Sequence, residues 1–85
     1  MVICNRLGLH ARASAAFSAL ASRFSCDVFL GVDEAHQVNG KSIMGVMMLA
    51  ASQGTHLWLQ VDGADEEAAL EALSALIARR FDEAE

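Results

Sequence analysis

Gly8-Leu9-His10-Ala11-Arg12 is the segment of this chain whose residue types and spacing point most directly to chemistry. A glycine turn runs there into the start of a helical period. The first turn of a helix leaves backbone N–H groups unpaired and carries the positive end of the macrodipole, so it favours a phosphate, bound or covalent. A histidine at that junction offers a nucleophilic ring nitrogen beside an anion site. Histidine titrates near neutrality, so a neutral imidazole is well populated at cytoplasmic pH. Arg12, two residues on, has a guanidinium able to fork onto phosphate oxygens. The plainer reading makes His10 a capping side chain and Arg12 a surface cation.

A second segment, Asn39-Gly40-Lys41-Ser42-Ile43-Met44-Gly45-Val46-Met47-Met48, places Ser42 where a helix N-cap is expected. Ile43, Met44 and Met47 suit a core, and spacing alone slightly favours that. Three thioethers in one short helix also suit an adaptable partner surface.

The elements that position these residues follow from the hydrophobic period, which switches between 2 and 3.6 along the chain. Residues 1–5 read as a short first strand, ending in an Asn5-Arg6-Leu7-Gly8 turn. Residues 11–23 read as a helix with Ala13, Ala16, Phe17, Leu20 and Phe24 inward and Ser14, Ser18 and Ser22 opposite. In residues 26–33, Cys26, Val28, Leu30 and Val32 alternate with Asp27, Phe29, Gly31 and Asp33, as in a strand with one buried face. Residues 37–39 are a weaker strand, 41–51 a methionine-rich helix, and 55–61 a strand with Leu57, Leu59 and Val61 on one side. Asp65 is expected to cap a last helix running through Arg80, with Glu66 and Glu67 in its first turn and a stripe of Leu70, Leu73, Leu76, Ile77 and Phe81. The economical packing is an α+β open-faced two-layer sandwich, one sheet with three helices on one face, in a single domain over 1–85.

Eleven acidic and six basic residues give a formal charge of -5. Nucleic acid is therefore excluded as a partner, since phosphate backbones need clustered Lys and Arg. The first 25 residues nevertheless hold Arg6, Arg12 and Arg23 and no carboxylate, a local electropositive face fit for an anion or an acidic partner. No apolar run approaches the roughly 20 residues that span a bilayer, and no segment has a signal-peptide layout, so a cytoplasmic protein without membrane association is expected. Cys4 and Cys26 form neither a disulfide framework nor a metal site and read as small buried side chains. Histidines 10, 36 and 56 lack metal-ligand spacing, and no metal or cofactor is expected. His36 and His56 read as solvent-facing.

Taken together, Asn5, Leu7-Gly8-Leu9-His10-Ala11-Arg12, Lys41-Ser42-Ile43-Met44, the Gly54 turn and Gly63-x-Asp65-Glu66 strongly resemble the HPr family of the bacterial phosphoenolpyruvate-dependent phosphotransferase system. The resemblance covers essentially the whole chain. It implies a four-stranded antiparallel sheet with three helices, in the order βαββαβα. It implies a stoichiometric phosphocarrier rather than an independent enzyme. His10 would accept a phosphoryl group from Enzyme I and pass it to a histidine of an Enzyme II A-type protein, with Arg12 neutralising charge. Ser42 matches a regulatory serine that an ATP-dependent HPr kinase/phosphorylase modifies in some bacteria, and Ile43, Met44 and Met47 match the partner-docking patch. A monomer is expected. Two further readings are a nitrogen-branch regulatory carrier and a purely regulatory binding protein acting through the Ser42 face. Against the family pattern, Ala13 replaces the usual proline, lysines are missing from the first helix, where Ala19 and Ser22 stand, and the N-terminus is a few residues shorter, which implies a clipped first strand. The missing lysines and the Phe81-Asp82-Glu83 ending also resemble the nitrogen branch; Lys41-Ser42-Ile43-Met44 favours the general, sugar-linked one.

Overall fold

The computed structural model describes residues 1–84. Its elements are α1 (Ala11–Ala21), β1 (Asp27–Asp33), β2 (His36–Asn39), α2 (Ile43–Met48), β3 (Trp58–Asp62), α3 (Glu66–Ala78) and a 3-10 turn, Arg80–Asp82. The sheet is antiparallel with order β2-β1-β3. Val28 and Leu30 on its inner face meet Phe17, Leu73, Leu76, Ile77 and Val46 in one buried cluster. Phe29, Trp58 and Gln60 are exposed on its outer face. The architecture is an α+β open sandwich.

Three strands stand where four were expected. Residues 1–3 run beside residues 54–57, yet they form one isolated bridge, Val2 to His56. Ile3 donates its N–H to the Thr55 carbonyl at 3.0 Å, but Thr55 does not answer, because its N–H closes a turn on Ser52 at 3.0 Å. The Ile3 carbonyl instead takes the Gly54 N–H at 2.8 Å. This offset breaks the regular exchange of bonds that a ladder needs.

Helix α1 buries Ser14 and Ser18 along with Ala13, Phe17 and Ala21, so of the serines expected opposite the apolar face, only Ser22 is exposed. The helix packs against both α2 and α3, and small side chains let these neighbours approach. Ser14 Oγ is satisfied by the Leu9 carbonyl at 3.1 Å. In α3 the buried stripe is Ala69, Leu73, Leu76 and Ile77, while Leu70 is exposed. Val32 is exposed as well, since the β1–β2 register shifts between Gly31 and Asp33. Cys26 is buried just before β1; Cys4, half-buried, donates its thiol to the Ile77 carbonyl at 3.3 Å.

Asp65 occupies the N-cap position of α3 without capping it. Its carboxylate reaches across to accept the Ser25 and Cys26 N–H groups at 2.8 and 2.9 Å. The Ser25 amide, more than any other contact, holds the Asp65 carboxyl below the usual carboxylate range, against a smaller opposing effect of burial. Asp65 thus ties the start of α3 to the start of β1.

Candidate functional site

The turn before α1 is built by its backbone. Gly8 adopts φ +65°, and a Cβ there would lie 2.4 Å from the Ala51 carbonyl oxygen. Leu9 donates its N–H to that same carbonyl at 2.9 Å and buries its side chain. The chain leaving α2 therefore clamps the chain entering α1, and the next residue, His10, has its place set from both sides.

His10 is the N-cap of α1, with extended φ and ψ of -76° and -178°. Its Nδ1 accepts the Arg12 N–H at 3.3 Å. The capping reading and the nucleophile reading are thus one geometry: the cap aims Nδ1 into the first turn, where unpaired amides gather. On the opposite side of the ring, Nε2 lies 2.5 Å from Glu83 Oε2. Glu83 arrives there because α3 ends at Ala78 rather than at Arg80. Arg80, Phe81 and Asp82 take left-handed φ of 60°, 55° and 63°, held by the burial of Phe81 and by an Arg79–Asp82 ion pair at 2.8 Å.

Asn5 completes the cluster. Fully buried, it donates from Nδ2 to the Gly8 carbonyl at 2.9 Å and to Glu83 Oε1 at 2.7 Å. Burial works to raise the Glu83 pKa, but the Asn5 amide, the His10 ring and the Arg12 charge outweigh it and leave it below its ordinary value. Glu83 is therefore a carboxylate at neutral pH. Beside it lies a cavity of about 260 Å³ lined by Arg6, Leu7, Arg12, Asp82, Glu83 and Ala84. His10 and Arg12 are brought together as their spacing requires. Glu83, from the far end of the chain, had no local signal to mark it.

Ser42 caps α2, its Oγ accepting the Gly45 N–H at 3.1 Å. Ile43, Met44 and Met47 are exposed, with Met44 at 74%. Val46 alone in α2 is buried, because the helix is too short to turn a second side chain inward. Met48, 78% exposed, extends the apolar surface of α2 beyond the expected three residues. Lys41 spends its ammonium on the Phe24 carbonyl at 2.8 Å. His36 is solvent-facing and pairs with Asp33 at 2.8 Å, and His56 is exposed. Among the described residues, no group of three His, Cys, Asp or Glu side chains could hold a metal ion, and no helix is long and apolar enough to cross a membrane.

Residues 1–79 match the family model described as the PTS HPr component phosphorylation site. The chain is 53% identical over 85 residues to the phosphocarrier protein HPr of Pseudomonas aeruginosa, covering all of this chain and 94% of that protein. It is 53% identical over 83 residues to HPr of Neisseria meningitidis serogroup A, covering 98% and 92%. Among solved structures, HPr-C-His from Thermoanaerobacter tengcongensis superposes with a TM-score of 0.91 at 44% identity, covering 98% of this chain and 92% of that one. HPr from Bacillus anthracis superposes at 0.84 with 40% identity, covering 91% and 90%.

Proposed function

The chain belongs to the HPr family of phosphocarriers of the phosphotransferase system, and on that premise we propose that His10 carries the phosphoryl group on Nδ1. The observation that carries this reading is the pair of contacts on the ring. Nδ1 faces a backbone donor, so it holds a lone pair; Nε2 faces a carboxylate, so it holds the proton. The nucleophilic nitrogen is therefore the one aimed into the first turn of α1.

In the transfer, the Nδ1 lone pair attacks phosphorus on the phosphohistidine of Enzyme I. The N–P bond of the donor breaks and its electron pair returns to the donor ring. The Arg12 N–H, released from Nδ1, turns to a phosphoryl oxygen, and the amide of Ala13 adds a donor that the usual proline would withhold. The Arg12 guanidinium offsets the added charge. The same steps in reverse pass the group to an Enzyme II A-type protein. The protein acts in the cytoplasm as a monomer, leaving one face free for successive partners. The HPr relatives support the general branch over the nitrogen branch.

Incubation with Enzyme I, magnesium and phosphoenolpyruvate tests the reading: intact mass should gain one phosphoryl group that acid removes. No added mass with an active Enzyme I would favour a regulatory binding protein instead. Arg12→Ala should still be labelled to completion, at a rate lower by about tenfold to a hundredfold; unchanged rates with donor and acceptor would remove Arg12 from the site.

Ser42 serves as a regulatory phosphorylation site on the same proposal. A phosphate there would add about -1.5 to -2 charges beside the exposed Ile43, Met44 and Met47, which would dock partners, and would repel acidic surfaces. Ser42→Ala removes the α2 cap and should cost about 1 kcal/mol in denaturant unfolding. Phosphoryl acceptance at His10 should be unaffected.

A further inference from the structure

We infer that the outer face of the sheet is a second docking surface, whose partner is a basic protein segment crossing β1 and β3 with arginine or lysine beside apolar side chains. The strand register builds this face. Phe29 stands opposite Gln60 and Gly31 opposite Trp58, so the two aromatic residues are diagonal neighbours, within reach of one another. Trp58 is 49% exposed and Phe29 38%. Gly31 is also paired with Gln37, so no side chain stands between Gln37 and the indole. That gap leaves the ring open to a flat or cationic group.

The charge of the face selects the partner. Asp27 is paired directly with Asp62, and both are exposed, which sets their Cβ atoms about 5 Å apart. Like charges so placed destabilise a sheet, and neither carboxylate makes an ion pair among the described residues. No outward-facing position of the three strands is Lys or Arg. A nucleic acid or an anionic lipid surface would be repelled. A second copy of the chain would bring carboxylates to carboxylates and supply no cation. A cationic side chain set between Asp27 and Asp62 relieves their repulsion and makes charge-assisted hydrogen bonds to both. Neighbouring side chains of the same segment cover Phe29 and Trp58, and an arginine among them stacks on the indole. Val28 and Leu30 turn the other face of β1 to the helices, so this surface points away from α1 and α2. A partner held there leaves His10 and Ser42 uncovered, and the inference stands whether or not His10 carries phosphate.

Trp58 is the only tryptophan and the chain has no tyrosine, so its emission reports on this face. The full chain is titrated with a capped hexapeptide of alternating leucine and arginine, and with its leucine–glutamate counterpart. The arginine peptide should shift the emission to the blue with a dissociation constant of about 1 mM or tighter, and the glutamate peptide should not. Amide ¹H–¹⁵N shifts should concentrate in β1 and β3. Asp62→Lys turns a repulsive pair into an attractive one, so it should melt higher while binding the arginine peptide about tenfold more weakly. Asp27→Asn, which removes one charge and keeps the shape, should weaken binding by a smaller factor. No shift with the arginine peptide, an equal shift with the glutamate peptide, or amide shifts confined to the helices would overturn the proposal. So would undiminished binding by Asp62→Lys; if that variant misfolds, undiminished binding by Asp27→Asn decides in the same sense. Sedimentation that shows a dimer dissociated by Trp58→Ala would give the face to a second copy instead, and a shift with maltotriose alone would give it to a sugar. Either result would also overturn the proposal.

Discussion

Replacing His10 by alanine is expected to abolish phosphoryl acceptance from Enzyme I while leaving the protein folded. The loss should be complete because no other nitrogen is placed to substitute. His36 is paired with Asp33 in the turn between β1 and β2, and His56 lies beside Val2 at the sheet edge; neither sits at a helix start. The fold should survive because the imidazole is 28% exposed and lies outside the core. What α1 loses is its cap: the Arg12 N–H forfeits its Nδ1 acceptor, a cost of about 1 kcal/mol. Intact mass after incubation with phosphoenolpyruvate, Enzyme I and magnesium gives the first result, and a denaturant unfolding curve gives the second. Full labelling of His10→Ala would end the assignment of the site.

Gly8→Ala is expected to damage stability and activity together. A left-handed conformation costs an alanine about 1–2 kcal/mol in itself. The larger problem is the Cβ, which would lie 2.4 Å from the Ala51 carbonyl oxygen and 2.9 Å from the Ser52 Cα, both backbone atoms. Neither can turn away as a side chain could, so the two loops must separate. Separation breaks the Leu9 N–H bond to Ala51, and Leu9 is the residue that anchors His10. Transfer should therefore fall further than stability alone explains, because a nucleophile displaced by even 1 Å can lose about a hundredfold in rate. Thermal unfolding and the phosphoryl-acceptance rate, measured on the same preparation, separate the two effects. A Gly8→Ala protein with unchanged melting and unchanged rate would show that the two loops do not position His10.

The contrast between these residues and Glu83 shows what a local pattern can and cannot report. His10 and Arg12 are joined by the geometry of one helical turn, so two residues of spacing suffice to bring Nδ1 and the Arg12 amide together. Ser42 was readable for the same reason: capping is a contact of three residues' span, made here to Gly45. Asp65 had the right type for a cap and took other partners: the Ser25 and Cys26 amides just before the start of β1 offered two donors from a distant part of the chain. Ser14 and Ser18 look like a solvated face until α2 and α3 are laid on both sides of α1.

Periodicity in this chain was enough to indicate the helices, the α+β class and part of the core, since burial of Val28, Leu30, Phe17 and Leu73 is a property of spacing. The first strand was reduced to a bridge because a Ser52–Thr55 turn, which the apolar period does not report, took the N–H that the ladder needed. Tertiary packing alone brought Glu83 to Nε2 of His10, across 73 residues of chain. The physical reason is range: capping and hydrophobic period act within a turn or a strand, whereas the partner of a ring nitrogen is chosen by which distant backbone the core leaves beside it.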